Sequence, residues 1–421
     1  MEIRDVLRPM DRSRSGGARV LFAVLLAAAQ LPQLSSNAAA TGPASSAREF
    51  SMDTRDKAKV LMLRGVASAD AAVPDYVSAV RDFREAASLG DAKARMRLGE
   101  LMIHGRGTSR DVDGGLDLLR QAAAAGEVNA LLLLGDIYAR SLAGPNRGNE
   151  AIAAYEKAAE LGRALAHVKL GQIYQDGRLV TANAQKSVDA YLAAIAAGRT
   201  AALVPLGKAL AEGRFPHHGS RADGIRLLEN ARSQGVAEAV LALSDCYLNG
   251  TGVARSRDKA LTLLRTALDA GNVDAGRRLV SLYRDGRKGL LARNRKTALT
   301  YFARIKDRLQ PGALQVETLL LDASAAAAGG YRGIQGQLLE LRAPDRPSAV
   351  RKLRSVNPNA YVYVVQSRLG SLGYYSGSAS GNLNAATMRA IRKYCGDRTS
   401  RKDCAGGPMT LRVTELLASA F

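Results

Sequence analysis

Leu170-Gly171-Gln172-Ile173-Tyr174-Gln175-Asp176-Gly177, with Ala194 and Gly198 further on, decides the fold because the chain repeats it. Thirty-six residues earlier stand Leu134-Gly135-Asp136-Ile137-Tyr138, Ala158 and Gly162. One step further back stand Leu98-Gly99-Glu100-Leu101-Met102, Gly105, Ala122 and Gly126. In the other direction come Leu206-Gly207 with Gly213, Ala231 and Gly235, then Leu243-Ser244, Tyr247, Gly250, Ala267 and Gly271. The closing glycines, Gly90, Gly126, Gly162, Gly198, Gly235 and Gly271, are spaced 36, 36, 36, 37 and 36 apart. So regular a period marks a solenoid.

Each unit predicts two helices. Ala166 to Asp176 has apolar residues at helical spacing and stops at Gly177; Ala184 to Ala197 does the same and stops at Gly198. Glycine just past a helix takes the left-handed conformation that closes the last turn. The glycine inside the first helix (Gly99, Gly135, Gly171, Gly207) costs about 1 kcal/mol against alanine, so it implies close packing. The alanine four residues before each closing glycine is the expected small neighbour. One hairpin cannot bury its apolar face alone, but stacked hairpins can.

The L-G-x-x-Y-x-x-G run and the A-x-x-x-G helix end resemble the Sel1-like repeat family, relatives of the tetratricopeptide repeat. The resemblance covers roughly residues 53 to 308, about seven units. It departs at Ser141, Leu210, Ser244 and Leu279-Val280. It implies a right-handed superhelix that serves as a non-catalytic protein-interaction scaffold. The expected fold is therefore all-α, a right-handed α-solenoid of about seven helical-hairpin repeats followed by a small three-helix domain.

The flanks divide by composition. Residues 1–40 read as a signal peptide: Arg4, Arg8, Arg12, Arg14 and Arg19, then the apolar run Val20 to Ala29, then Ala38-Ala39-Ala40. That run is shorter than the roughly 20 residues a membrane span needs. No cysteine precedes Cys246, which excludes a lipid-anchored N-terminus. The expected location is the periplasm. Residues 41–52 read as a flexible leader, 53–328 as the solenoid with a capping helix over Ala313 to Ala328, and 329–356 as a glycine- and proline-rich linker.

Residues 357–421 change character. Gln366-Ser367-Arg368-Leu369, Leu372-Gly373-Tyr374-Tyr375-Ser376-Gly377, Gly381, Thr387 and Tyr394 resemble the small three-helix peptidoglycan-binding domain. The resemblance implies wall contact through Gln366, Tyr374, Tyr375 and Thr387. Asn382 and Ala379 depart from its loop pattern, as does the cysteine-bearing insert 395–404.

Catalytic patterns are missing from the sequence. His104, His167, His217 and His218 form no H-E-x-x-H pattern and stand near no cysteine at ligand spacing. No G-x-S-x-G elbow is present. Neither a cofactor nor a metal is expected. Of three cysteines, Cys395 and Cys404 can pair across a short loop in an exported chain, and Cys246 reads as a buried small hydrophobe.

Charge remains. The net charge is +21, and residues 277–308 and 342–421 carry +9 each. Arg277, Arg278, Arg284, Arg287, Lys288, Arg293, Arg295 and Lys296 fall within 20 residues. Such a one-sided field favours an anionic partner. In an exported chain nucleic acid is not the expected partner, which leaves acidic polysaccharide, teichoic or peptidoglycan carboxylates, anionic lipid head groups or an acidic protein face. The architecture resembles the periplasmic scaffolds of alginate-type exopolysaccharide synthesis and export, whose partners are envelope proteins of a secretion or synthesis complex. It also resembles periplasmic regulators of a sensor kinase and polar organisers of envelope assembly. A cell-wall hydrolase is the enzymatic alternative.

Overall fold

The computed structural model describes residues 2–12, 44–71, 74–144, 147–399 and 407–421. Among these residues all regular structure is helical, apart from one isolated bridge between Arg287 and Leu291. The chain forms two compact units, Met1–Val236 and Ala237–Phe421.

Unit 1 holds α1 (Ile3–Arg12), α2 (Ala44–Ala69), α3 (Tyr76–Ser88), α4 (Ala92–His104), α5 (Val112–Ala124), α6 (Val128–Ala139), α7 (Gly148–Glu160), α8 (Ala164–Asp176), α9 (Ala184–Ala196), α10 (Leu203–Glu212) and α11 (Arg221–Ser233). From α2 onward each even-numbered helix pairs with the next as a hairpin, and successive hairpins stack. Unit 2 continues the pattern with α12 (Ala237–Asn249), α13 (Arg257–Asp269), α14 (Val273–Asp285) and α15 (Arg295–Ile305). It ends in α16 (Pro311–Ala323), α17 (Tyr331–Glu340), α18 (Arg346–Val356), α19 (Pro358–Ser371), α20 (Ala385–Gly396) and α21 (Leu411–Ala418).

Local chemistry starts and stops these helices. Asp91, Asp111, Asn183 and Asn272 each accept a backbone N–H with the side chain at the helix start, a cap of about 1 kcal/mol. Gly177 closes α8 in the left-handed conformation at φ 65°. In the preceding unit Ser141 stands at the equivalent place, and it is the one described non-glycine residue with positive φ, at 56°.

The glycine inside the first helix packs differently from the sequence expectation. A Cβ at Gly171 would lie 2.7 Å from the Tyr191 ring, and one at Gly135 would strike the Tyr155 ring. The space is therefore filled by a tyrosine 20 residues further on, not by the alanine before the closing glycine. At Gly99 the position is held by Leu119, and the carbonyl oxygen of Gly115 would lie 2.7 Å from an added Cβ. Tyr155 and Tyr191 are almost wholly buried, at 1% and 0% exposure. Each ring repays the helix cost of its glycine, since burying a large apolar side chain contributes about 1.5–3 kcal/mol.

Two flanking segments differ from expectation. The chain is helical from Ala44, inside the stretch read as a flexible leader. Residues 329–356 are no linker. They form α17 and α18, and Tyr331, Ile334, Leu338, Val350 and Leu353 join one core with α16 and α19–α21. Within the stretch read as a signal peptide, α1 packs on α11, with Ile3 and Leu7 buried and the Asn230 side-chain amide donating to the Val6 carbonyl. The apolar run Val20 to Ala29, the Ala38–Ala40 site and Cys404 lie outside the described residues. Cys395 is buried at the end of α20 and Cys246 is buried in α12.

Candidate functional site

A charged cleft of about 430 Å³ opens in unit 2 between α12, α14, α16 and α18. Helix α14 places Arg277, Arg278, Ser281, Arg284 and Asp285 along one stripe at helical spacing. Helix α12 adds Leu241 and Asp245, α16 adds Glu317, and α18 adds Lys352 and Ser355.

Glu317 organises the floor. It is 5% exposed on a helix whose other buried residues are apolar. Its Oε2 accepts from Arg284 Nη1 at 3.1 Å and its Oε1 from Arg277 Nη2 at 3.4 Å. Arg284 also donates to both oxygens of Asp285, at 2.7 and 2.9 Å. Burial works against the Arg284 charge, but Asp285 and Glu317 outweigh it and hold the guanidinium pKa above its ordinary value. Arg277 further pairs with Asp274 at 3.3 Å, and Arg278 pairs with Asp245.

The acids are thus engaged while the cations retain spare donors. The Nε atoms of Arg277 and Arg278 are buried without a hydrogen-bond partner among the described residues. Lys352 is half-buried. Burial lowers its pKa, Glu317 opposes that shift, and Arg277, Arg284 and Arg351 add to it.

Unit 1 has a counterpart of about 670 Å³ that includes Asp136, Tyr155 and Lys169. Asp136 follows Leu134-Gly135 as Asp245 follows Leu243-Ser244, and Lys169 precedes Leu170 as Arg278 precedes Leu279. In both cases the ion pair joins residues 33 apart, so it ties one hairpin to the next. Lys169 Nζ donates to Asp136 Oδ1 at 2.8 Å and the Tyr155 hydroxyl donates to the same oxygen at 2.6 Å. Burial first, then Asp136, pushes the Tyr155 phenol well above its ordinary pKa and keeps that proton in place.

The Sel1 repeat family model matches residues 92–127, 128–162, 164–198 and 237–272. The chain carries Sel1 repeats. A Sel1 repeat protein from Oxalobacter formigenes is similar in structure: 24% identity over 60% of this chain and 99% of that chain, with a TM-score of 0.42. The c5321 protective antigen of uropathogenic Escherichia coli, which displays an SLR fold, shares 20% identity over 89% and 82% of the two chains, with a TM-score of 0.40. The immunity protein Pa5087 of Pseudomonas aeruginosa shares 19% over 59% and 80%, with a TM-score of 0.31. No curated protein matches the chain significantly.

Asp136 and Asp245 therefore occupy the same place in two Sel1 repeats, and the unit 2 cleft adds Glu317 and Lys352 from helices outside the matched repeats. The basic cluster read from the sequence splits into two groups. Arg277, Arg278 and Arg284 line the cleft, and Arg284 is too buried and too well paired to be an exposed polymer contact. Arg287 is half-buried against Asn249. Lys288, Arg293, Arg295 and Lys296 are exposed at the α14–α15 loop and the start of α15, with Arg293 donating to the Asp285 carbonyl at 2.8 Å.

The expected wall-binding residues mostly face inward. Gln366 and Thr387 are fully buried and Tyr375 is 8% exposed. Gln366 Nε2 donates to Thr387 Oγ1 at 2.7 Å and to the Asn382 carbonyl at 2.9 Å, while its Oε1 accepts from the Ser380 and Gly381 N–H groups. These residues hold the glycine loop in shape. Tyr374 is half-buried, with its ring edge-on to Tyr394 and Lys393 over it.

Sequence reasoning missed Asp245, Glu317 and Lys352. The 33-residue relation between Asp136 and Lys169 was the available signal for Asp245, and an acid flanked by Val316 and the run Leu319 to Leu321 was the one for Glu317. His217 is exposed and His104 lies at the end of α4, its pKa lowered mainly by burial. Among the described residues no group of three or more His, Cys, Asp or Glu could hold a metal. No helix among them is long and apolar enough to cross a membrane.

Proposed function

We propose that this protein is a non-catalytic scaffold of the cell envelope whose repeats hold protein partners and whose basic edge holds an acidic exopolysaccharide of the alginate type. The Sel1 repeats support the protein-interaction part. The polymer part rests on one observation: Lys288, Arg293, Arg295 and Lys296 stand exposed together beside a cleft whose own charges are largely paired. The reading includes export to the periplasm, supported by the basic, apolar and alanine-rich segments of residues 1–40. It also includes wall contact by the C-terminal region, now assigned to Tyr374 and the exposed residues 376–378 rather than to Gln366 or Thr387.

The test is retention on immobilised alginate. The purified protein is expected to bind at low salt and to elute as salt rises, because exposed charges are screened beyond about 8 Å at physiological ionic strength. Changing Lys288, Arg293, Arg295 and Lys296 to Glu together should abolish retention and leave the helical melting curve unchanged. A neutral glucan column should retain neither form. Failure of the wild-type chain to bind alginate at low salt overturns the polymer part.

A further inference from the structure

We propose that the unit 2 cleft is a carboxylate-binding site that receives an acidic peptide segment of a protein partner, with Lys352, Arg277 and Arg278 as its receiving groups. The sign of the ligand follows from the donor count. Every acid lining the cleft already accepts from an arginine: Asp245 from Arg278, Asp274 from Arg277, Asp285 from Arg284, and Glu317 from two arginines at once. The buried polar atoms of the lining that lack a partner among the described residues both belong to cations. Arg277 and Arg278 each bury an Nε with no acceptor, and each side chain is about one-third exposed, at 33% and 34%. The Lys352 ammonium has no hydrogen-bond partner among the described residues and stands in the field of Arg277, Arg284 and Arg351 against Glu317 alone. An incoming acceptor reaches the exposed third of each arginine side chain and the Lys352 ammonium rather than the buried Nε atoms, and a hydrogen bond to a charged donor there is stronger than one between neutral groups.

The chemistry of that acceptor is narrowed by the rim. The same cleft carries Asp245, Asp274, Asp285 and Glu317, which repel a compact dianion such as phosphate. A single carboxylate at Lys352 answers the local cations and adds one charge to an alternating network. Leu241 gives one wall an apolar surface against which the stem of a Glu or Asp side chain can lie. That the carboxylate belongs to a peptide rests on the scaffold reading above.

Lys352 can report its own occupancy, since only its neutral amine is acylated. The full-length chain is treated with an amine-acylating reagent at low salt, and the acylation of each lysine is followed by peptide mass spectrometry. Lys288 and Lys208, both exposed, serve as references. Poly-L-glutamate is expected to slow acylation of Lys352 several-fold relative to Lys208, and Arg278→Gln and Arg277→Gln should each weaken that protection with an unchanged helical spectrum. Equal acylation of Lys352 with and without poly-L-glutamate overturns the proposal. So does protection by alginate but not by poly-L-glutamate, or equal protection by inorganic phosphate. Alginate retention is read by Lys288, Arg293, Arg295 and Lys296, so the two ideas fail separately.

Discussion

The two clefts start from the same repeat position and end differently. In unit 1, Asp136 receives both Lys169 and the Tyr155 hydroxyl, and the pair is closed by the repeat itself. In unit 2, Asp245 receives Arg278, but the residue in the place of Tyr155 is Leu264, fully buried and without a hydroxyl. The second helix of the repeat cannot complete the network there. Helices α16 and α18 supply Glu317 and Lys352 instead, and leave cationic donors to spare. The difference shows that a repeat position sets where a charge stands, while the neighbouring helices set whether it is already satisfied.

The same substitution accompanies Ser244. Gly135 and Gly171 face rings, so neither leaves room for a Cβ. Ser244 stands at that place in the unit whose residue 20 positions on is Leu264, a side chain with no ring to strike. At Gly99 and Gly207 a leucine also stands 20 residues on, but there the carbonyl oxygens of Gly115 and Gly224 would lie 2.7 and 2.9 Å from an added Cβ, so the group that excludes a side chain differs from repeat to repeat.

The comparison breaks most heavily at Glu317. Glu317→Leu should destabilise unit 2 by about 3 kcal/mol, because removing one partner leaves Arg284 as an undercompensated buried charge. The double variant Glu317→Leu with Arg284→Met should recover most of that loss, since an apolar pair replaces a buried ion pair at little cost. Chemical denaturation of both proteins checks it; a double variant as unstable as the single one contradicts the ion-pair account. In unit 1, Asp136→Asn cuts a more exposed network and should cost about 1–2 kcal/mol.

A smaller effect is expected when unit 1 is made to look like unit 2. Gly135→Ser should cost about 1–3 kcal/mol by overpacking against Tyr155. In a Tyr155→Leu background the same change should be close to neutral. Equal costs in the two backgrounds, read from thermal melting, remove the ring from the explanation.

The smallest effect concerns the turn. Ser141 takes the left-handed conformation that Gly177 takes one repeat later. That conformation costs an L-residue roughly 1–2 kcal/mol, so Ser141→Gly should stabilise the protein by about 1 kcal/mol or slightly less. A melting temperature that falls instead contradicts the strain.

Much of the fold was legible because its signals are local and repeated. The closing glycines, the apolar spacing and the cap residues act within one hairpin, and the period multiplies the evidence. Residues 329–356 escaped for a local reason too. Gly329, Gly330, Gly333 and Gly336 suggest a break, yet Tyr331, Ile334 and Leu338 recur at helical spacing, and their burial offsets the glycine cost. Pro347 and Pro358 begin helices rather than end them, since proline lacks only an N–H that the first turn leaves unpaired anyway.

The sequence by itself determined the repeat, its register and the sign of the charge in residues 277–308. Only the tertiary structure decided what each charge does. Arg284 and Lys288 lie four residues apart in one basic stretch, yet Arg284 is buried on Glu317, 33 residues away, and Lys288 is exposed. Likewise the motif that marks Gln366 and Thr387 is visible in the chain, but their inward orientation is set by the loop they hold. Helical periodicity is written in neighbouring residues, whereas neutralising a charge depends on groups from helices remote in sequence.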